Sequence, residues 1–177
     1  MITEILHKQT KHSYHWLNKI IEDIPENKWE LTPEKIETNI VWQIGHLIVS
    51  INYHSIIVIN GQPVEIYKDF PIQKYMELFT KAKAKDAVGK VSVSELKEFS
   101  ELFQKKSLDT LNNLSDEELS NPLEPFIVKH PIAKTKQEAI EWNIQHTMWH
   151  CGQIGLLKRH LADDQCFGLK NLNRAST

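Results

Sequence analysis

The sequence is poor in the residues that mark several common protein classes. Its 177 residues include only two cysteines, Cys151 and Cys166, too few for a disulfide scaffold. Six glycines leave little material for a glycine-loop nucleotide site or a β-rich fold with many tight turns. Neither sign of charge is in excess: 21 Lys and Arg face 23 Asp and Glu, for a formal charge of -2. No basic stripe is evident, so no nucleic-acid partner is expected. The opening stretch MITEILHKQTKHSYHWL holds no apolar signal-peptide core and no transit-peptide pattern, and a cytoplasmic protein is expected.

What remains is ordinary for a globular chain: 41% hydrophobic and 25% charged residues. A chain of this length buries roughly 70% of its unfolded surface, enough for a full core. One run is unusual, because residues 38–64 carry no charged side chain. It is long enough to span a bilayer. Yet Asn39, Gln43, His46, Ser50, Asn52, His54 and Asn60 would each need a partner in hydrocarbon. A buried central helix accounts for it better, with no membrane.

Apolar spacing predicts four long helices. The first covers residues 2–24, with Ile2, Ile5, Leu6, Trp16, Ile20 and Ile24 on its apolar stripe and Gln9 and Ser13 interrupting that face. The second is the charge-free run, residues 39–60, closed by Asn60-Gly61-Gln62-Pro63. A mixed connection follows, with a short helix near residues 72–85. Capping boxes at Ser92/Glu95 and Thr135/Glu138 open the third and fourth helices, the fourth ending near Leu161. A proline-punctuated crossover joins them. The expectation is an all-α four-helix bundle forming one domain over residues 1–165, with a polar tail over 166–177.

The strongest chemical signal is His146-Thr147-Met148-Trp149-His150. Residues four apart leave a helix on the same face, so two imidazoles can share one metal ion. This face is otherwise apolar, and His46 sits in the most apolar helix. Ligands in bundles come from facing helices. His46, His146 and His150 would supply three nitrogens and leave a position open. The alternative is a polar core network in which the histidines bond Gln9, Ser13 or Gln153. Three imidazoles suit zinc, nickel, iron or copper alike. Thr147 stands where a metalloprotease needs glutamate. Trp42, Tyr53 and Trp149, with Gln9 and Gln153, are candidates for a small-molecule pocket. His54 falls well off the His46 direction on a regular helix, and His130 reads as a loop residue. Glu124 reads as a surface carboxylate and Cys151 as a packing residue.

Residues 135–161, TKQEAIEWNIQHTMWHCGQIGLLKRHL, resemble the closing signature of the DinB/YfiT-like superfamily. The matching features are His146, His150, Gly152-Gln153 and Lys158-Arg159. Residues 41–47, VWQIGHL, resemble its second-helix motif, with His46 as the histidine. The resemblance implies an up-down-down-up bundle and a divalent metal (zinc, nickel or iron) on His46, His146 and His150. It often implies a homodimer. Relatives include metal-dependent S-transferases that use low-molecular-weight thiols such as bacillithiol or mycothiol, a thiol-dependent isomerase, and members assigned as hydrolases. One departure is Trp149, where family members often carry another histidine.

Overall fold

The computed structural model describes residues 1–62 and 65–162 and contains, among them, five helices and no strand. The tail expected from residue 166 lies outside the described residues. Helix α1 spans Ile2–Glu22. Helix α2 starts at Ile40, where the side chain of Asn39 accepts from the Trp42 amide at 2.9 Å. It runs as α-helix over Ile40–Asn52, widens into a π-helical turn over Tyr53–Ile57, and finishes over Val58–Asn60. Gly61 stops it at φ 81, a conformation costly for any residue with a Cβ. The short helix α3 comprises Ile72–Met76 and a second π-helical turn, Glu77–Lys81.

Helix α4 spans Val93–Asn112 and α5 Lys136–Ala162. The two expected capping boxes differ in outcome. At α5 both halves form, Thr135 Oγ1 accepting from the Glu138 amide and the Glu138 carboxylate from the Thr135 amide. At α4 Ser92 accepts from the Glu95 amide, but the Glu95 carboxylate turns away to accept from the Tyr75 hydroxyl of α3 at 3.1 Å. A tertiary contact takes the place of the second cap bond.

Bonds between helices give the topology. Tyr14–Ser107 and Asn18–Gln104 pair α1 with α4 in opposite directions. Tyr14–Asn143 and Asp23–Lys158 pair α1 with α5 in the same direction. Gln43–Gln153 and the His54–His146 ring contact set α2 against α5 in opposite directions. The four long helices therefore run up, down, down, up, with α1 and α2 each packed on both α4 and α5.

One face differs from expectation. Ile2 and Ile5 are exposed, whereas Thr10, Ser13, Tyr14 and Leu17 face the core. The Tyr14 hydroxyl donates to Ser107 on α4 and accepts from Asn143 on α5. Those buried bonds fix the rotation of α1 against the pull of its N-terminal isoleucines. Among the described residues, Ile40–Asn60 is the one helix long and apolar enough to cross a membrane, and 83% of its apolar window is buried in the fold.

The crossover after α4 lies along the C-terminal part of α2. The Glu124 amide donates to the Val58 carbonyl at 2.9 Å and the Tyr53 hydroxyl to the Val128 carbonyl at 2.9 Å. The Glu124 carboxylate pairs with Lys136 at 3.1 Å, which is a structural tie at the start of α5.

Candidate metal centre

Helices α2 and α5 cross so that His46, His146 and His150 meet. Each offers a ring nitrogen, and the three nitrogens lie within 4.8 Å of one another. The Nε2 atoms of His146 and His150 are 3.1 Å apart. Two nitrogens on one tetrahedral zinc at ~2.05 Å stand about 3.3 Å apart, so this spacing fits a shared ion. His150 is buried, while His46 and His146 are half-buried, so the cluster is not sealed.

The partners of the rings assign their hydrogens. Nδ1 of His46 donates to the Phe79 carbonyl at 2.7 Å, which leaves Nε2 as the lone-pair nitrogen. Nδ1 of His150 donates to Oε1 of Gln43. The orientation of that amide is fixed in turn, because its Nε2 donates to Thr38 Oγ1 at 2.9 Å and Gln153 Oε1 at 2.8 Å. Nε2 of His150 is therefore also a lone pair. Nδ1 of His146 is buried without a partner among the described residues. Burial, with the neighbouring histidines, pushes His146 down to about 4 and His150 to about 3, and burial lowers His46. All three are neutral at pH 7, the state a metal ligand needs.

Two tryptophans hold the rings from outside. Trp42 stacks on His46 with centroids 4.9 Å apart and an interplanar angle of 8°, and its Nε1 donates to the Ala82 carbonyl. Trp142 stacks on His146 at 6.0 Å and 13°. Phe79 reaches His46 because α2 carries Gly45 there: a Cβ on Gly45 would stand 2.4 Å from the Phe79 ring.

A model of the DinB superfamily matches residues 9–154. The chain belongs to the DinB superfamily. A crystal structure of a conserved protein from Enterococcus faecalis is similar to it, with a TM-score of 0.64 and 16% identity, covering 93% of this chain and 99% of that one. At that identity the likeness establishes the fold alone. No curated protein matches the sequence.

Within this DinB-superfamily bundle the expected pocket residues are dispersed. Trp42 is on the cluster, and Gln153 reaches it through Gln43. Tyr53 lines a cavity of about 320 Å³ beyond the cluster, between α2, α3 and the crossover. Trp149 is 59% exposed and meets Trp142 edge-on. Gln9 lines a groove between α1 and α5 with His12, Trp16 and Glu141, away from the three histidines.

Sequence reasoning missed Gln43, the Phe79 carbonyl and a second histidine pair. His54 lies against His146 with ring centroids 5.7 Å apart, and its Nδ1 is 2.8 Å from Nε2 of His130. Eight residues on from His46, it lies roughly 80° round the helix at the start of the π-helical turn Tyr53–Ile57, and its ring still reaches α5. Cys151 is buried, and burial raises its thiol to about 12.

Proposed function

We propose that this protein is a metal-dependent transferase in which a divalent ion on His46, His146 and His150 activates a low-molecular-weight thiol for attack on a small electrophile. The observation that carries the reading is the pair of locked tautomers. Phe79 and Gln43 hold two imidazoles with their Nε2 lone pairs free, beside a third neutral imidazole. When bound, the ion supplies Lewis acidity that lowers the pKa of a thiol or of water. Three protein nitrogens leave a position for the nucleophile.

The chain's own groups point to a nucleophile brought from outside. Cys151 is buried and held as a thiol, so it is no candidate. The cluster contains only histidines among the described residues, with no carboxylate to serve as general base. Trp42 and Trp142 orient the rings, and Tyr53 walls the space for the electrophile. A small molecule is thus the proposed partner, without nucleic acid or membrane, and the working form is a cytoplasmic homodimer. Zinc, nickel and iron all suit the donor set.

The test is consumption of an electrophile such as 1-chloro-2,4-dinitrobenzene by the protein loaded in turn with each metal, with bacillithiol, mycothiol or no thiol. Thiol-dependent turnover that disappears in His146→Ala supports the transferase. Turnover without thiol would make the protein a hydrolase. Metal uptake without either activity would make the ion structural.

A further inference from the structure

We propose that the cavity bounded by α2, α3 and the crossover binds an uncharged, mainly apolar small molecule carrying one O–H or N–H group, which donates its hydrogen to Oδ1 of Asn52. This rests on the transferase reading only in giving the occupant the role of electrophile. The binding site itself stands on separate observations.

The cavity holds about 320 Å³, with Val49, Ile57, Tyr67, Met76 and Phe126 in its wall. No Lys, Arg, Asp or Glu is among its described lining residues. An ion entering this space would lose hydration without gaining a counter-charge, which selects an uncharged occupant. Both π-helical turns among the described residues border it. Tyr53 and Ile57 come from the first and Thr80 from the second, next to the Phe79 carbonyl that holds His46. Such turns are rare and recur at functional sites. The cavity thus abuts a segment that positions a candidate metal ligand.

Asn52 supplies the polar handle. It is the last residue of the α-helical part of α2, directly before the first π-helical turn, and it lines the cavity while only 1% exposed. Its carboxamide is held at one end. Nδ2 donates to the Tyr67 hydroxyl at 3.0 Å, and Tyr67, from the turn Ile66–Lys68, lines the cavity too. The carboxamide therefore lies in the wall that the two residues share. Its other end, Oδ1, is buried and accepts from no donor among the described residues. Two hydroxyls of the lining are committed elsewhere, Tyr53 donating to the Val128 carbonyl and Thr80 to the Met76 carbonyl. Buried acceptors are almost always paired, and a ligand O–H or N–H in the adjoining cavity supplies the missing partner.

The test uses the full chain, zinc-loaded and zinc-stripped, titrated by NMR with p-cresol, p-xylene, p-tolualdehyde and p-toluate. The first two share a shape and differ in one donor. The aldehyde offers only an acceptor, and p-toluate adds a charge. Asn52→Leu should lower the p-cresol-to-p-xylene affinity ratio about five-fold and leave the p-tolualdehyde-to-p-xylene ratio within about two-fold. Tyr67→Phe, which keeps Oδ1, should hold both ratios within about two-fold. The ratios should not depend on zinc, and the stripped protein should not bind p-toluate. In asparagine-labelled wild type, the Asn52 carboxamide carbon should shift with p-cresol and not with p-xylene; if Asn52→Leu does not fold, this shift decides alone. Failure of both p-cresol and p-xylene to bind, an unchanged p-cresol ratio in Asn52→Leu, a fall in the aldehyde ratio instead, or a preference that appears only with zinc would overturn the proposal. So would p-toluate binding as tightly as p-cresol. If the binding results hold and the zinc-loaded protein consumes no electrophile with thiol, the transferase reading fails and the pocket stands. The reverse pattern sinks the pocket alone.

Discussion

Gln43 on α2 accepts a hydrogen bond from Nδ1 of His150 on α5 and donates to Gln153 one turn further along the same helix. A single carboxamide thus sets the tautomer of one candidate ligand and ties together the two helices that carry all three. Replacing it with an apolar isostere, Gln43→Leu, leaves Nδ1 of His150 buried without an acceptor. Metal affinity should fall about 10- to 100-fold, measured by competition with a chromophoric chelator. Unchanged affinity would show that His150 needs no such orientation.

Gly45 tests the other support. The Phe79 ring against it is fully buried, so it cannot swing aside for a methyl group. Gly45→Ala should destabilise the fold by about 1–3 kcal/mol in urea unfolding. It should also weaken metal binding, because displacing Phe79 moves the carbonyl that orients His46. A variant with wild-type stability and affinity would remove Phe79 from the account.

The buried histidines set the direction of pH dependence in the metal-free protein. His146 and His150 have folded values of about 4 and about 3 against an ordinary 6.5. Between those values the unfolded chain binds protons that the folded chain does not, so stability rises with pH across this window and levels off above it. Each histidine contributes at most ~1.4 kcal/mol per pH unit, less for half-exposed His146. Urea unfolding at about pH 7 and about pH 5 should therefore show a loss on acidification that is smaller in His150→Asn, whose amide retains a donor for Gln43. Equal losses in the two proteins would contradict the assignment of His150 as a buried neutral group.

How much of this the sequence discloses depends on whether a residue's role is set by its own helix. His146 and His150 are legible because four-residue spacing fixes their common face, and His46 because a histidine in a charge-free helix needs a reason to be there. The bundle is legible from its apolar periodicity and helix caps. His54 is not, since its partners His130 and His146 come from the crossover and α5, distant in sequence. Nor are the Phe79 carbonyl and Gln43, whose roles come from contacts between elements distant in sequence. The rotation of α1 is hidden for the same reason: Tyr14 bonds Ser107 and Asn143, and those tertiary bonds outweigh the apolar pattern of Ile2 and Ile5.

Cys151 should behave as core. With its thiol raised to about 12 and its side chain enclosed, iodoacetamide at mildly alkaline pH should leave it unmodified in the native protein and alkylate it after denaturation, as read by peptide mass mapping. Cys151→Ala should keep its metal content. Rapid native alkylation at Cys151 would reopen the possibility of an internal nucleophile.

The central claim is that His46, His146 and His150 hold a metal ion. Elemental analysis of purified, untagged protein after reconstitution with zinc, nickel or iron tests it directly, beside a His146→Ala/His150→Ala variant of matched helical content. The account predicts close to one ion per chain in the wild type and none in the variant. A wild-type protein that holds no ion after reconstitution, or a variant that holds as much, would contradict it and reduce the three histidines to a hydrogen-bonded core cluster.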